Sequence, residues 1–324
     1  MVFKQNWEKT GSHTHIEDST IRALVSHALP ADTLDSYAII SGGCINSNIK
    51  LIFTTREHPL MLRVYLRDQD CAYSEKKLAA LLHGTLPVPM VYSIHDFAGY
   101  RYAIVEYIPG ITMRELLLEK PNEDAASVVH EAGKLIGTMQ KYHFEQAGFF
   151  DKDLKVVQLT TPYDYVAFME QCLTKPSILN TLDAATLEII KNFVTKHPSL
   201  LPKNSQHNLV HGDYDPANIL VQKIAGKWHI SAILDWEFAF SGSWLWDVSN
   251  MLRYSHEVPA WYETSFLQGL EDTGLQMPSN WRQSINMLNL LSLLDILARN
   301  PANERPCQQT DIVALINHIV STVA

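Results

Sequence analysis

The sequence is poor in the residues that staple or anchor a chain. It holds four cysteines in 324 residues, Cys44, Cys71, Cys172 and Cys307, none close to another and none in a C-x-x-C pair. A dispersed set of this kind argues against a disulfide framework and reads as the reduced thiols of a cytosolic protein. No apolar run approaches ~18 residues without a charge or strong polar group, which argues against a membrane-spanning helix. The first residues, MVFKQNWEKTGSHTHIED, are polar where the apolar core of a secretory signal would fall. Glycine and proline, at 14 and 15, are too ordinary for a collagenous or low-complexity chain. Basic residues are also scarce. Lys and Arg number 26 against 35 Asp and Glu, a formal charge of −9. A general nucleic-acid binder would need a basic face, so no nucleic-acid partner is expected. Histidine metal sets are missing too. His13 and His15 have no acidic or cysteine partner at ligand spacing, and His207 and His211 are four apart without the glutamate of a zinc protease helix.

What is there is a large apolar fraction, 46%, in a chain long enough to bury a real core. Length suggests about two domains or one domain with two lobes. Residues 16–29 carry apolar residues at helical spacing. Short β-rich runs follow at 37–40, 49–55 and 59–65, bounded by Gly, Asn and Pro in the manner of antiparallel hairpins. Residues 71–83 read as a helix, and 86–108 as two strands around a turn at Ala98–Gly99. Past Pro109–Gly110 the pattern becomes helical. One long amphipathic helix is expected over 122–146, further helices over 162–200 and 260–324, and a hairpin over 217–235 turning at Ala225–Gly226. The expected division is a strand-rich lobe over 1–108 and a larger helical lobe over 109–324. The charge is uneven in the same sense, net −1 before residue 111 and net −8 after it.

The strongest chemical signal is LVHGDYDPANILV, residues 209–221. Asp213 and Asn218 are five apart in a proline-containing loop that runs into a strand. Asp235, in ILDWE, ends a second apolar strand, and the hairpin brings it beside Asn218. An amide oxygen and a carboxylate at one point suit Mg²⁺, a hard cation that takes oxygen ligands. Asp213 is then free to meet a substrate hydroxyl. Each residue alone would be read as an ordinary turn residue; the ordered set is what carries the signal.

HGDxxxxN followed by LDWE resembles the aminoglycoside phosphotransferase and choline kinase family of small-molecule kinases. The resemblance covers roughly residues 37–255 and implies an α+β, protein-kinase-like two-lobe fold. HGD stands for the HRD of protein kinases, and Asp-Trp-Glu for DFG. SGSWLWDVSN (241–250) is similar to a further family segment, although Ser243 and Trp244 replace its usual Asp-Pro, so that only Asp247 carries over. SGGCINSN (41–48) is similar to the nucleotide loop, with Gly42 and Gly43 leaving room for phosphates and Asn46 beside them. Arg63, in MLRVY, takes the place of the phosphate-orienting cation, with Glu75 as the acid that holds it. AIVEYIPG (103–110) resembles the connector between lobes, where the backbone from Glu106 to Ile108 would meet an adenine edge. His143 is expected to be structural.

The resemblance thus implies ATP and Mg²⁺ as cofactors, Asp213 as the catalytic carboxylate, and Asn218 and Asp235 as metal ligands. The partner implied is a small hydroxylated acceptor: an aminoglycoside, amino alcohol, amino acid or sugar. Asp215, Glu237 and Asp247, with Glu257, Glu263, Glu271 and Asp272 further on, would suit a cationic acceptor. Trp236, Trp244, Trp246, Tyr254, Trp261 and Tyr262 would either cage a cation or pack the core. Two rivals stand beside this reading. A protein kinase is disfavoured because G-x-G-x-x-G, HRD, DFG and A-P-E are missing. A nucleotide-binding pseudokinase would usually lack one of Asp213, Asn218 and Asp235, and all three are present.

Overall fold

A computed structural model of the chain describes residues 3–4, 6–8, 16–40, 46–120, 124–157, 164–203, 205–300 and 304–323. Helix α1 (Asp18–Ala28) precedes an antiparallel sheet formed by β1 (Leu34–Ile40), β2 (Ser47–Phe53), β3 (Leu60–Tyr65), β4 (Val91–Phe97) and β5 (Tyr100–Glu106), with α2 (Cys71–Leu82) inserted before β4. The strand order is β1-β2-β3-β5-β4. Alternate residues of β2 and β3 (Ile49, Leu51, Leu62, Val64) are fully buried and pack on Ile21 and Leu24 of α1. That burial is the period-2 pattern the sequence carries. Gly42 and Gly43 lie outside the described residues, as do Cys44, His13 and His15.

Beyond the sheet come β6 (Ile111–Thr112), α3 (Met113–Glu119), α4 (Ala126–Met139) and β7 (Gly148–Phe149). The expected single helix over 122–146 is therefore shorter. It stops at Met139 because the next segment must turn to pair His143 with Asn208 and to place the Phe144 N–H on His207 O. Helix α3 escaped the sequence reading, although its start is a legible capping box. The Thr112 hydroxyl accepts from Glu115 N, and the Glu115 carboxylate accepts from Thr112 N. Three helices follow, α5 (Tyr165–Leu173), α6 (Pro176–Leu179) and α7 (Ala184–Lys196), then β8 (Asn208–Val210) and the hairpin of β9 (Ile219–Ile224) and β10 (Lys227–Ile233). The hairpin turns at Ala225 and Gly226, both in the left-handed region. Strand β11 (Phe240–Gly242) and helices α8 (Leu245–Leu252), α9 (Trp261–Glu271), α10 (Trp281–Arg299) and α11 (Pro306–Val323) complete the chain.

Two glycines set how the helical part closes. A Cβ on Gly133 of α4 would lie 2.2 Å from Phe266 O, and one on Gly269 of α9 would lie 2.0 Å from His130 O. The two helices therefore cross backbone to backbone. Helix α4 in turn carries the functional loop, because the fully buried Tyr214 donates its hydroxyl to Ala132 O at 3.0 Å. Tyr254 and Tyr262, weighed as cage residues, are buried in the core, as is Trp236. Among the described residues no helix is long and apolar enough to cross a membrane.

Candidate active site

The loop between β8 and β9, residues 211–218, is held from below by Asp247. Its two carboxylate oxygens accept the backbone N–H groups of His211 and Gly212 at 2.9 and 3.0 Å. Asn250 donates to Gly212 O at 2.9 Å. Asp247 is fully buried, and burial pushes its carboxyl up to about 7 against the pull of the two N–H bonds. The sequence expectation that Asp247 meets the acceptor is thus corrected: both oxygens are taken by backbone N–H groups of a buried turn, and the residue shapes the loop. Gly212 has φ +85°, and a Cβ there would lie 2.3 Å from Phe238 O, so the turn requires glycine on both counts. His211 bridges the two halves. Its Nε2 donates to Leu234 O at 2.8 Å, and its Nδ1 accepts from Asp213 N at 3.2 Å. This is the neutral tautomer, and burial lowers its pKa in the same sense.

Asp213 points to the open side of the loop. Its Oδ2 accepts from Asn218 Nδ2 at 2.9 Å, and its Oδ1 accepts from Lys4 Nζ at 2.9 Å. Asp215 points inward. Its Oδ1 accepts from Ala217 N at 2.7 Å and its Oδ2 pairs with the same Lys4 ammonium. Asp215 is 5% exposed and already paired, which corrects the expectation that it offers a free carboxylate to a cationic acceptor.

The hairpin register pairs Ile219 with Ile233, and Leu234 N donates to Asn218 O at 2.8 Å. This places Asp235 beside Asn218. Asp235 has φ +60°, ψ +60°, a left-handed conformation that Asp tolerates better than most residues. Across the cleft, Arg63 Nη1 donates to Asp235 at 2.6 Å and Nη2 donates to Glu75 at 2.9 Å. The Tyr65 hydroxyl donates to the other Glu75 oxygen at 2.7 Å. Burial raises the Glu75 pKa, with the Arg63 guanidinium opposing it. Burial works to lower the Arg63 pKa, but Glu75 and Asp235 hold it well above the ordinary value, so the charge is permanent. Arg63 Nε is buried without a hydrogen-bond partner.

Glu237 sits on this same side. Asn46 donates to it at 3.0 Å, while Asn46 Oδ1 accepts from Leu66 N at 3.3 Å. Burial, with the Asp235 charge adding to it, pushes the Glu237 carboxyl up to about 7. The structure thus places these two expected site residues against each other. Asn46 ties strand to loop, and Glu237 belongs to the Arg63–Asp235 group. Of the more distant carboxylates, Glu263 is paired with Arg282 and Asp272 with His130.

A cavity of about 300 Å³ opens above Arg63, Asn218 and Asp235, within the range usual for small-ligand pockets. Its apolar walls come from Met61, Ala79, Val88 and Val105 on one side and Leu220 and Ile233 on the other. Glu106 anchors the connector at its rim. Its N–H donates to Met90 O at 2.8 Å and its carboxylate accepts from Met90 N at 3.1 Å. Ile108 lines the same rim and makes no backbone hydrogen bond among the described residues.

Among the described residues no group of three His, Cys, Asp or Glu is placed to share a metal. The donor set of Asn218 and Asp235 is nonetheless the one Mg²⁺ favours, one or two protein oxygens with the rest from phosphate and water. Lys4 is the participant that sequence reading missed. The pair of carboxylates in Asp213-Tyr214-Asp215 signals a need for a cation, but nothing in the sequence says that it comes from residue 4.

A sheet with an inserted helix, a connector, and a helical part carrying a loop and a hairpin define a kinase-like architecture. The family model described as the phosphotransferase enzyme family matches residues 36–283, and the chain belongs to that family. It is an enzyme, a small-molecule kinase whose acceptor is a hydroxyl group. Among solved structures, the aminoglycoside phosphotransferase APH(4)-Ia superposes with TM-score 0.72 at 17% identity, over 95% of this chain and 100% of that one. A thermostable mutant of it, TM-score 0.70 at the same identity, over 94% of this chain and 99% of that one, is a ternary complex with AMP-PNP and hygromycin B. A microcompartment-associated aminopropanol kinase gives 0.64 at 14% identity, over 93% and 95%. The choline kinase LicA from Streptococcus pneumoniae gives 0.59 at 13% identity, over 94% and 99%. No curated protein matches the chain.

Proposed function

We propose that the chain transfers the γ-phosphoryl group of ATP, with Mg²⁺, to a hydroxyl of a small molecule. The observation that carries this is the convergence of Glu75–Arg63, Asp235 and Asn218 on one cavity, with Asn218 in turn holding Asp213. Phosphoryl transfer needs positioning and charge neutralisation more than covalent work by the protein. Asn218 and Asp235 would hold Mg²⁺, which supplies charge neutralisation between the phosphates. Arg63, fixed by Glu75, would orient the α- and β-phosphates. Asp213 would orient the acceptor hydroxyl and take its proton. The apolar slot under the connector suits a planar base, with Ile108 offering main-chain groups at its edge. In this reading residues 1–108 form the nucleotide lobe and 109–324 the acceptor lobe.

The test is ADP release from Mg·ATP across aminoglycosides, choline, ethanolamine, aminopropanol, homoserine and simple sugars, with Asp213→Ala as the blank. Release that depends on an acceptor and disappears in the variant supports the reading. ATP binding without release across the panel supports a binding module instead. No ATP binding at all overturns the kinase reading.

A further inference from the structure

We infer that Lys4 is a positioning residue of the phosphotransfer site: the N-terminal segment carries its ammonium to Asp213 and Asp215, where, opposite Asn218, it fixes the catalytic carboxylate. This rests on the proposed kinase reading. The geometry is a clamp. One oxygen of Asp213 is held by Lys4 Nζ and the other by Asn218 Nδ2, both at 2.9 Å, so the carboxylate cannot rotate without breaking a charge-assisted bond. Its side chain remains 31% exposed, while that of Lys4 is 14% exposed. The ammonium therefore approaches from inside and leaves the outer face of the carboxylate open to an acceptor.

The segment is built to reach this point. The Phe3 side chain is 3% exposed, with its ring 5.2 Å from Tyr254 and 6.2 Å from Tyr262. Phe3 O accepts from Arg114, whose backbone N–H holds Pro216 O of the same loop. The Trp7 indole donates to Asp311 at 2.8 Å, and its ring stands 5.6 Å from the Lys4 ammonium. The Glu8 carboxylate accepts from Cys307 N and Gln308 N at the start of α11. Phe3 and Lys4 both have positive φ, +34° and +59°. Two successive non-glycine residues in this region are strained, and such strain persists only where the surroundings over-determine it. Here the strain places one ammonium between two carboxylates. Burial works to lower the Lys4 pKa, yet the neighbouring Asp213 and Asp215 raise it above the ordinary value, so the group is a cation at working pH.

A purely structural counter-ion predicts a different result from a positioning residue, and a double-mutant cycle separates them. ADP release from Mg·ATP, with water as acceptor, is measured for the full chain, Lys4→Met, Lys4→Arg, Asp213→Asn and Lys4→Met/Asp213→Asn, with melting curves to confirm folding. Lys4→Met is expected to lower kcat by about tenfold to a hundredfold, the worth of one charge-assisted bond, with KM for ATP within about twofold. Lys4→Arg should recover part of the loss. In the Asp213→Asn background Lys4→Met should change nothing further. Phe3→Ala, which loosens the anchor and keeps the ammonium, should lower kcat in the same direction. Faster turnover in Lys4→Met would mean that the segment obstructs the site, and equal turnover that Lys4 does not act on Asp213; either overturns the inference. The same fractional loss in both backgrounds also overturns it. If the unmodified chain neither binds nor hydrolyses ATP, the kinase reading and this inference fall together; if it does both and Lys4→Met is silent, only this inference falls.

Discussion

Asn218 donates its amide nitrogen to Asp213 Oδ2 at 2.9 Å, and to Asp213 O at the same distance, so one side chain ties both the carboxylate and the backbone of Asp213. With its nitrogen engaged in this way, the Asn218 amide oxygen is not used in holding Asp213. Asn218→Asp keeps the shape and the oxygen but replaces the donor with a second negative charge beside Asp213. Turnover should fall by about a hundredfold or more, as when a positioned donor is lost from an active site, while ATP affinity in the presence of Mg²⁺ changes little. Steady-state ADP release beside a nucleotide titration checks this. A variant with normal kcat would remove Asn218 from the site.

Arg63 joins two carboxylates, Glu75 and Asp235, and is buried at 8% exposure, as is Glu75. Arg63→Met leaves Glu75 as an uncompensated buried anion. Removal of one partner of a buried pair costs about 3–5 kcal/mol. Glu75→Gln is milder, because its side-chain oxygen can still accept from Tyr65. Urea unfolding should order the proteins as unmodified, Glu75→Gln, then Arg63→Met in falling stability. Nucleotide affinity should fall by about tenfold in Arg63→Met. Equal unfolding midpoints for all three would contradict the buried geometry.

Much of the site was legible because its chemistry is short-range in sequence. His211 to Asn218 is one loop, and the hairpin of 217–235 delivers Asp235 to Asn218 by register alone. Arg63 announced itself as a charge inside an apolar strand, and Glu75 followed on the next helix. Roles that depend on which way a side chain turns were less legible. Asp247 reads as a surface carboxylate and proves to be a buried brace, because its two oxygens meet two backbone N–H groups that no motif marks. Lys4 was invisible for the opposite reason: it lies 209 residues from Asp213, and no local pattern links them. The end of α4 was missed because apolar spacing continues past Met139, while the turn that follows is dictated by pairing with Asn208.

The crossing of α4 and α9 sets the floor under Tyr214 and tolerates no Cβ at Gly133 or Gly269. Alanine is the better helix former by about 1 kcal/mol, so an exposed glycine would gain from the change. Here the added methyl of Gly269→Ala would fall 2.0 Å from His130 O, a backbone atom that moves only if the helices part. Overpacking of this kind costs about 1–3 kcal/mol. Gly269→Ala should therefore melt lower than the unmodified protein, and turnover should fall with it as Ala132 O withdraws from the Tyr214 hydroxyl. A raised melting temperature would contradict the close crossing. Gly274, which has open space around a Cβ but φ +86°, is the control for strain without crowding.

The brace at Asp247 makes stability depend on pH in a direction opposite to that of most carboxylates. Burial lifts its pKa to about 7 in the folded chain, against an ordinary value of about 3.9 when unfolded. The folded state thus holds a proton that the unfolded state releases. The contribution is fully present below pH ~4 and is lost as pH rises through about 7. Glu237, also raised to about 7 by burial, acts in the same direction, so the absolute profile cannot assign the effect to one group. The difference between unmodified protein and Asp247→Asn can, because Glu237 is common to both. Asp247→Asn loses an acceptor for one of the two N–H groups, so it should be the less stable at every pH. Its deficit should narrow between pH 5 and 8 as the unmodified protein loses the Asp247 contribution. Denaturant unfolding of both proteins across that range measures the deficit directly. A flat difference would mean that His211 N and Gly212 N hold Asp247 ionised throughout, and that burial does not prevail over two backbone hydrogen bonds.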